Sequence, residues 1–210
     1  PSPERGLDGV RVGVPQHYFF DDLDGEVDDA VRSAIALMGE NGAVVSEIDM
    51  PWVGLGRDIN LSIIMPEALS IHESWLRERR GDYDPVVSER LLQAVVISGA
   101  DYVRGQRLRR WFRDEIAGAM RDIDVLVTPT VPEETPRFDA PPPNIRAGSL
   151  TGVFNATGAP SLSLNCGFTT DGMPIGMMIS GKPFGDADVL QIGYAYEQIA
   201  GCTSRRPAPF

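Results

Sequence analysis

The chain has 210 residues, 42% of them hydrophobic and 23% charged, with a formal net charge of -11. That balance belongs to a globular chain with a sizeable core, and it argues against nucleic acid or an anionic membrane as partner, because such partners are held by Lys and Arg releasing counterions. Two cysteines exclude a disulfide framework, and no apolar run approaches the roughly 18 residues of a membrane span, so the chain reads as cytoplasmic with reduced thiols at Cys166 and Cys202.

Residues 1–7 read as a polar, proline-bearing linker ahead of a single large unit that occupies the rest of the 210-residue chain. A strand at Val10–Val14 follows and ends at Pro15. The acidic tract Asp21–Asp29 does not fit a calcium loop: with Gly25 at the sixth place, Phe20 and Val31 fall where carboxylates are needed. It opens a helix instead, with an apolar stripe of Val27, Ala30, Val31, Ala34, Ile35 and Met38 and a stop at Asn41 and Gly42. Ala43–Ile48 is a second strand, so the chain opens as strand, helix, strand.

From Ile59 to about Arg80 a helix is predicted, with Ile64, Ala68, Ile71 and Trp75 as its packed stripe and Pro66 as a start or kink. His72 on it reads as a packing or capping side chain. Ser88–Ile97 gives a short helix, and Ser98 with Asp101 forms a capping box for a long one whose core face is Leu108, Phe112, Ile116, Ala119 and Met120. The arginines of that helix, among them Arg104, Arg107, Arg109, Arg110 and Arg113, are expected on a solvated face with an Arg110–Asp114 pair. Val125–Val127 is a buried parallel strand, and the proline-rich stretch Thr130–Ser149 must cross the surface as a loop.

The run Thr151–Gly181 carries the densest pattern and reads as a packed hairpin beside a binding cleft. Leu162, Leu164, Cys166 and Phe168 alternate with Ser161, Ser163, Asn165 and Gly167. Asp171 and Gly172 supply the turn, and Ile175, Met177 and Ile179 return against Gly176, Met178 and Ser180, where the small residues leave room for a close approach. Asp186 is placed as the cap of a last helix packed through Leu190, Ile192, Tyr194, Ala195 and Ile199, and residues 203–210 form a peripheral tail.

The search for bond-breaking chemistry comes back empty. G-x-S-x-G is absent, His17 and His72 have no triad context, and neither histidines nor cysteines stand at metal-ligand spacing, so no metal and no cofactor are expected. Lys182 is the only lysine and is assigned a surface role. Cys166 lies in the apolar register of its strand and is assigned to the core.

Taken in order, LDGVRVGVP at Leu7, EVDDAV at Glu26, EALSIHESW at Glu67, DYVRGQRLRR at Asp101, DVLVTPTVP at Asp124, FNATGAPSLSLNCG at Phe154 and DGMPIGMMISG at Asp171 resemble the C-terminal half of the amidase signature enzymes. The resemblance covers nearly the whole chain. It implies an α/β fold, with α/β/α layers around a mixed sheet, that hydrolyses carboxamides through an acyl-enzyme formed by a Ser, a cis-peptide Ser and a Lys. The Gly/Ser-rich segment that carries both serines has no counterpart here, so the resemblance implies no catalytic residue in this chain and an N-terminal half as its partner. A proline start within a linker fits that picture.

The same resemblance places Thr128, Pro129 and Thr130 at a strand end near the substrate, and Phe154, Asn155 and Thr157 on a neighbouring segment, as substrate-binding residues. Asn165 stands where the family usually has proline, and Met178 where it often has glutamine. The substrate is then a small-molecule amide. A glutamyl-tRNA amidotransferase subunit is the runner-up, against which the helix around Glu67 lacks the Tyr-Asp-Gly-Val-Arg-Tyr-Gly run, and a non-catalytic binding module on the same architecture is the third reading. A homo-oligomer stays open.

Overall fold

The computed structural model describes residues 6–136 and 149–202, so the first five residues, most of the proline-rich stretch and the tail at 203–210 lie outside the described residues. The chain opens as β1 (Arg11–Pro15), α1 (Gly25–Glu40) and β2 (Val44–Ile48), continues through α2 (Leu55–Glu78), α3 (Pro85–Leu92) and α4 (Gly99–Ala119), and reaches β3 (Val125–Pro129). After α5 (Ser149–Thr157) come the hairpin β4 (Ser161–Phe168) and β5 (Pro174–Gly181) and then α6 (Asp186–Ala200). The five strands form one mixed sheet in the order β2-β1-β3-β5-β4. β1 runs parallel to β2 and β3, whereas β5 is antiparallel to β3 and β4.

Two apolar cores lie on opposite faces of this sheet, which gives three layers. On one face Val12, Val125, Val127, Met177 and Ile179 pack with α1 and α6. On the other, Leu126 and Met178 pack with α2, α4 and α5 through Ile59, Ile63, Phe112, Ile116, Val153 and Phe154. The central strands are therefore covered on both sides, which is why β3 reads as an unbroken apolar run. β4 is an edge strand, and it shows the alternation of a half-covered one: Leu162 and Leu164 pack inward while Ser161 and Ser163 stay exposed.

Local signals account for most element ends. The Asp24 side chain accepts from the Glu26 amide and caps α1, and Asn41 ends it before Gly42 turns at φ 95°. A Cβ at Gly42 would stand 2.9 Å from the Asp8 backbone, so glycine is required there twice over. The capping box of Ser98 and Asp101 is formed at the start of α4. His72 bonds the Tyr83 hydroxyl through Nδ1 at 2.8 Å and packs edge-on against Trp75.

Several expectations are corrected. In α2 the buried positions are Gly56, Ile59, Ile63 and Leu76, while Ile64, Ile71 and Trp75 face out. Periodicity identifies an apolar stripe but not which of two stripes meets the core, and α5 packs on the one that begins earlier in the helix. α2 itself starts before the predicted Ile59 and runs on through Pro66. Leu108 of α4 is likewise exposed, and Gly105 is buried in its place because its bare Cα lets Ser62 of α2 approach. Asp186 lies in the first turn of α6 without capping it, the cap being Gly185, and Leu190 and Tyr194 face outward while Val189, Gly193 and Tyr196 are buried.

The Arg110–Asp114 pair is not formed among the described residues. In the hairpin turn the Thr169 hydroxyl, not Asp171, accepts from the Met173 amide. α5 occupies a stretch for which no helix is predicted from sequence.

Candidate functional site

The resemblance points to two short segments, and the fold sets them on adjoining elements. β3 is the middle strand of the sheet and is buried along its whole length, so its last residues are fixed from both sides. Thr128 is fully buried, on the face shared with Leu126, and its register partner is Met178. Its Oγ1 is the one buried side-chain oxygen or nitrogen without a hydrogen-bond partner among the described residues. Such a group is costly to leave unpaired, so its position is notable.

Thr130, just past the strand, is half-buried. Its amide donates to the Gly176 carbonyl at 3.0 Å, and its Oγ1 lies 2.8 Å from Ser163 Oγ across the face. A Cβ on Gly176 would come within 3.1 Å of both hydroxyls, so the small residue of the hairpin serves a cross-strand hydroxyl pair. Ser180 behaves the same way, bonding Ser161 Oγ to Oγ at 2.8 Å.

The second segment is α5 and the turn that ends it. Phe154 is buried in the second core and stacks on Phe19 with ring centroids 5.7 Å apart. Thr157 donates through Oγ1 to the Phe154 carbonyl and accepts from the Ala159 amide, and Gly158 turns at φ 72°. This closes the C-terminus of the helix, which explains the Thr-Gly pair on structural grounds. Arg109 of α4 fastens the same turn from outside, its Nε donating to the Ala156 carbonyl at 2.7 Å. Asn155 alone of Phe154, Asn155 and Thr157 is exposed.

Of the six predicted residues, then, Thr130 and Asn155 reach the surface, while Thr128, Pro129, Phe154 and Thr157 are buried. No hydrogen bond joins the two segments among the described residues. A cavity of about 550 Å³ lies beside α4 and touches the predicted set only at Thr157. Its basic lining departs from the sequence reading, which puts the arginines of α4 on a solvated face; the clue in the sequence is Arg109, Arg110 and Arg113 recurring on one side of a helix.

Other reactive groups are occupied in ordinary ways. Cys166 donates weakly to the Ile175 carbonyl, and burial pushes its thiol up to about 12. Lys182 is half-buried, with Nζ 3.4 Å from the Arg121 carbonyl. His17 Nε2 lies 2.9 Å from Asp49 Oδ1. No group of three His, Cys, Asp or Glu side chains among the described residues could hold a metal ion. No helix among them is long and apolar enough to cross a membrane.

Comparison with known proteins bears on this geometry. The profile of the amidase family matches residues 2–190. An amidase of Pseudomonas putida is 34% identical over 97% of this chain and 46% of its own length. A glutamyl-tRNA(Gln) amidotransferase subunit of Thermodesulfovibrio yellowstonii is 28% identical over 97% of this chain and 48% of that protein. Among solved structures, a crystal structure of an amidase superposes with a TM-score of 0.84 at 26% identity, covering 92% of this chain and 46% of that one. The chain thus spans about half the length of the curated relatives it matches.

Proposed function

This chain belongs to the amidase family, and from that premise we propose that it is the C-terminal, pocket-forming portion of an enzyme that hydrolyses a carboxamide to a carboxylate and ammonia or an amine. One observation carries the reading: 97% of this chain aligns with only 46% of an amidase, and the Gly/Ser-rich serine segment is not in these 210 residues. The Ser, cis-peptide Ser and Lys that form and break the acyl-enzyme then belong to an N-terminal half that packs against this one.

In that arrangement Thr128, Pro129, Thr130, Phe154, Asn155 and Thr157 form the wall of the substrate site. Thr130 and Asn155 offer hydrogen-bonding groups at the surface, and the buried four fix the backbone that presents them. Rigid placement on a doubly covered strand and a capped helix is what a positioning wall requires.

A second reading, a subunit of a glutamyl-tRNA amidotransferase, is favoured by the several subunits of that enzyme that are 27–30% identical to this chain. Both are tested by completing the reading frame around this sequence and assaying its product for ammonia release on a panel of linear amides and on glutamine. Turnover of small amides supports the first reading. Activity on glutamine that depends on further subunits supports the second, and a folded product inert on every amide overturns both.

A further inference from the structure

The cavity beside α4 is the most basic place in an acidic chain. Arg109, Arg110, Arg113 and Lys182 line it against one carboxylate, Asp114, although the net charge of the whole chain is -11. The carboxylate does not neutralise its neighbours: Arg110 and Arg113 make no ion pair or hydrogen bond among the described residues. Arg109 and Arg113 stand one helical turn apart, an arrangement of like charges that weakens a helix unless an anion lies between them. Arg109 is already oriented, because its Nε is held by the Ala156 carbonyl while its terminal nitrogens are left over. A guanidinium so placed suits the two oxygens of a carboxylate.

Beneath the charges the lining is apolar. Ile116 and Met120 are buried to within a few per cent, and Ala159 and Pro183 complete the hollow. A volume of about 550 Å³ is in the range of small-molecule sites, and an apolar floor under a cationic rim fits a ligand with an apolar body and an anionic end. A bare inorganic anion would leave that floor wet, and an acidic peptide would bring charge where the floor offers none.

We propose that this cavity binds an organic carboxylate, its carboxylate on Arg109, Arg110 and Arg113 and its hydrocarbon part over Ile116 and Met120. The site does not depend on amide hydrolysis by this protein, and its test uses binding alone. The 210-residue chain is titrated calorimetrically with 2-naphthoate and with the neutral 2-naphthamide. The carboxylate binds at millimolar concentration or tighter, and the amide binds at least about tenfold more weakly. The double change Arg110→Gln/Arg113→Gln weakens 2-naphthoate about tenfold or more, and rising salt weakens it further. The control Arg90→Gln/Arg107→Gln removes the same charge from outside the cavity and leaves binding unchanged. Equal binding of acid and amide, no binding of the acid at millimolar concentration, or equal losses in both double variants would each overturn the proposal. The comparison of acid with amide on the unmodified chain decides the matter even if a variant fails to fold.

Discussion

Replacing Thr128 by valine removes one hydroxyl and adds one methyl at the most tightly held point of the sheet. Thr128 is fully buried, and its Oγ1 has no partner among the described residues. Burying a hydroxyl without a hydrogen bond costs about 1–3 kcal/mol, whereas a methyl in the same volume meets Leu126 and Met178 on an apolar face. Valine also favours an extended backbone as threonine does. The expected outcome is a stabilisation of roughly 1–2 kcal/mol, part of the gain being lost to imperfect packing of the new methyl. For a chain of this size that raises the melting temperature by about 2–4 °C per kcal/mol. Urea unfolding followed by circular dichroism measures it, with an unchanged slope showing that only stability moved. A loss of about 1 kcal/mol or more would refute the reasoning, since it would mean that the hydroxyl is bonded in the folded chain.

Further predictions rest on equally specific contacts. Gly56→Ala brings a Cβ to 2.6 Å from the Phe112 ring and 3.1 Å from the Val153 backbone, so urea unfolding should show a loss of about 1–3 kcal/mol. Ser98→Ala removes the hydroxyl that accepts from the Asp101 amide, at a cost of about 1 kcal/mol in the same assay. Arg11 holds the Asp124 carboxyl below the usual carboxylate range, chiefly through its side-chain hydrogen bonds. A lowered folded value contributes stability above the ordinary carboxylate pKa that is lost as the pH falls towards the lowered one. Asp124→Asn should therefore flatten the acid limb of a stability-pH curve by no more than about 1 kcal/mol, because both partners are partly exposed. With its thiol pushed up to about 12, Cys166 should resist iodoacetamide at neutral pH until the chain is unfolded, as mass spectrometry of the alkylated peptide would report.

Strands and helix ends are legible in the sequence because their determinants are local. Pro15 ends β1, Asn41 and Gly42 end α1, and Ser98 with Asp101 starts α4, each within a turn of the residues that decide it. The inward faces of α2 and α4 are not, because both helices carry more apolar surface than they bury: Ile71 and Leu108 satisfy the same spacing as Ile63 and Phe112. Only the position of α5 selects between them, and α5 itself is hidden by its Thr-Gly ending, which reads as loop. At the site, motif likeness picks out Thr128 and Thr157. It cannot show that one hydroxyl lies in the core without a partner among the described residues while the other closes a helix, since both facts depend on β5 and on the turn at Gly158. The basic cavity escapes the sequence for a related reason: charge along α4 is legible, but Lys182 joins it only through the antiparallel return of β5.

The central claim is that these 210 residues shape a pocket and leave bond breaking to another part of the protein. The most direct test is to label the product of the complete reading frame with a serine-directed fluorophosphonate and locate the modified residue by peptide mass spectrometry. The account predicts a labelled serine outside the present sequence and no label on the 210-residue chain by itself. A label on Ser161, Ser163 or any other serine of this chain, with loss of amide turnover, would contradict it.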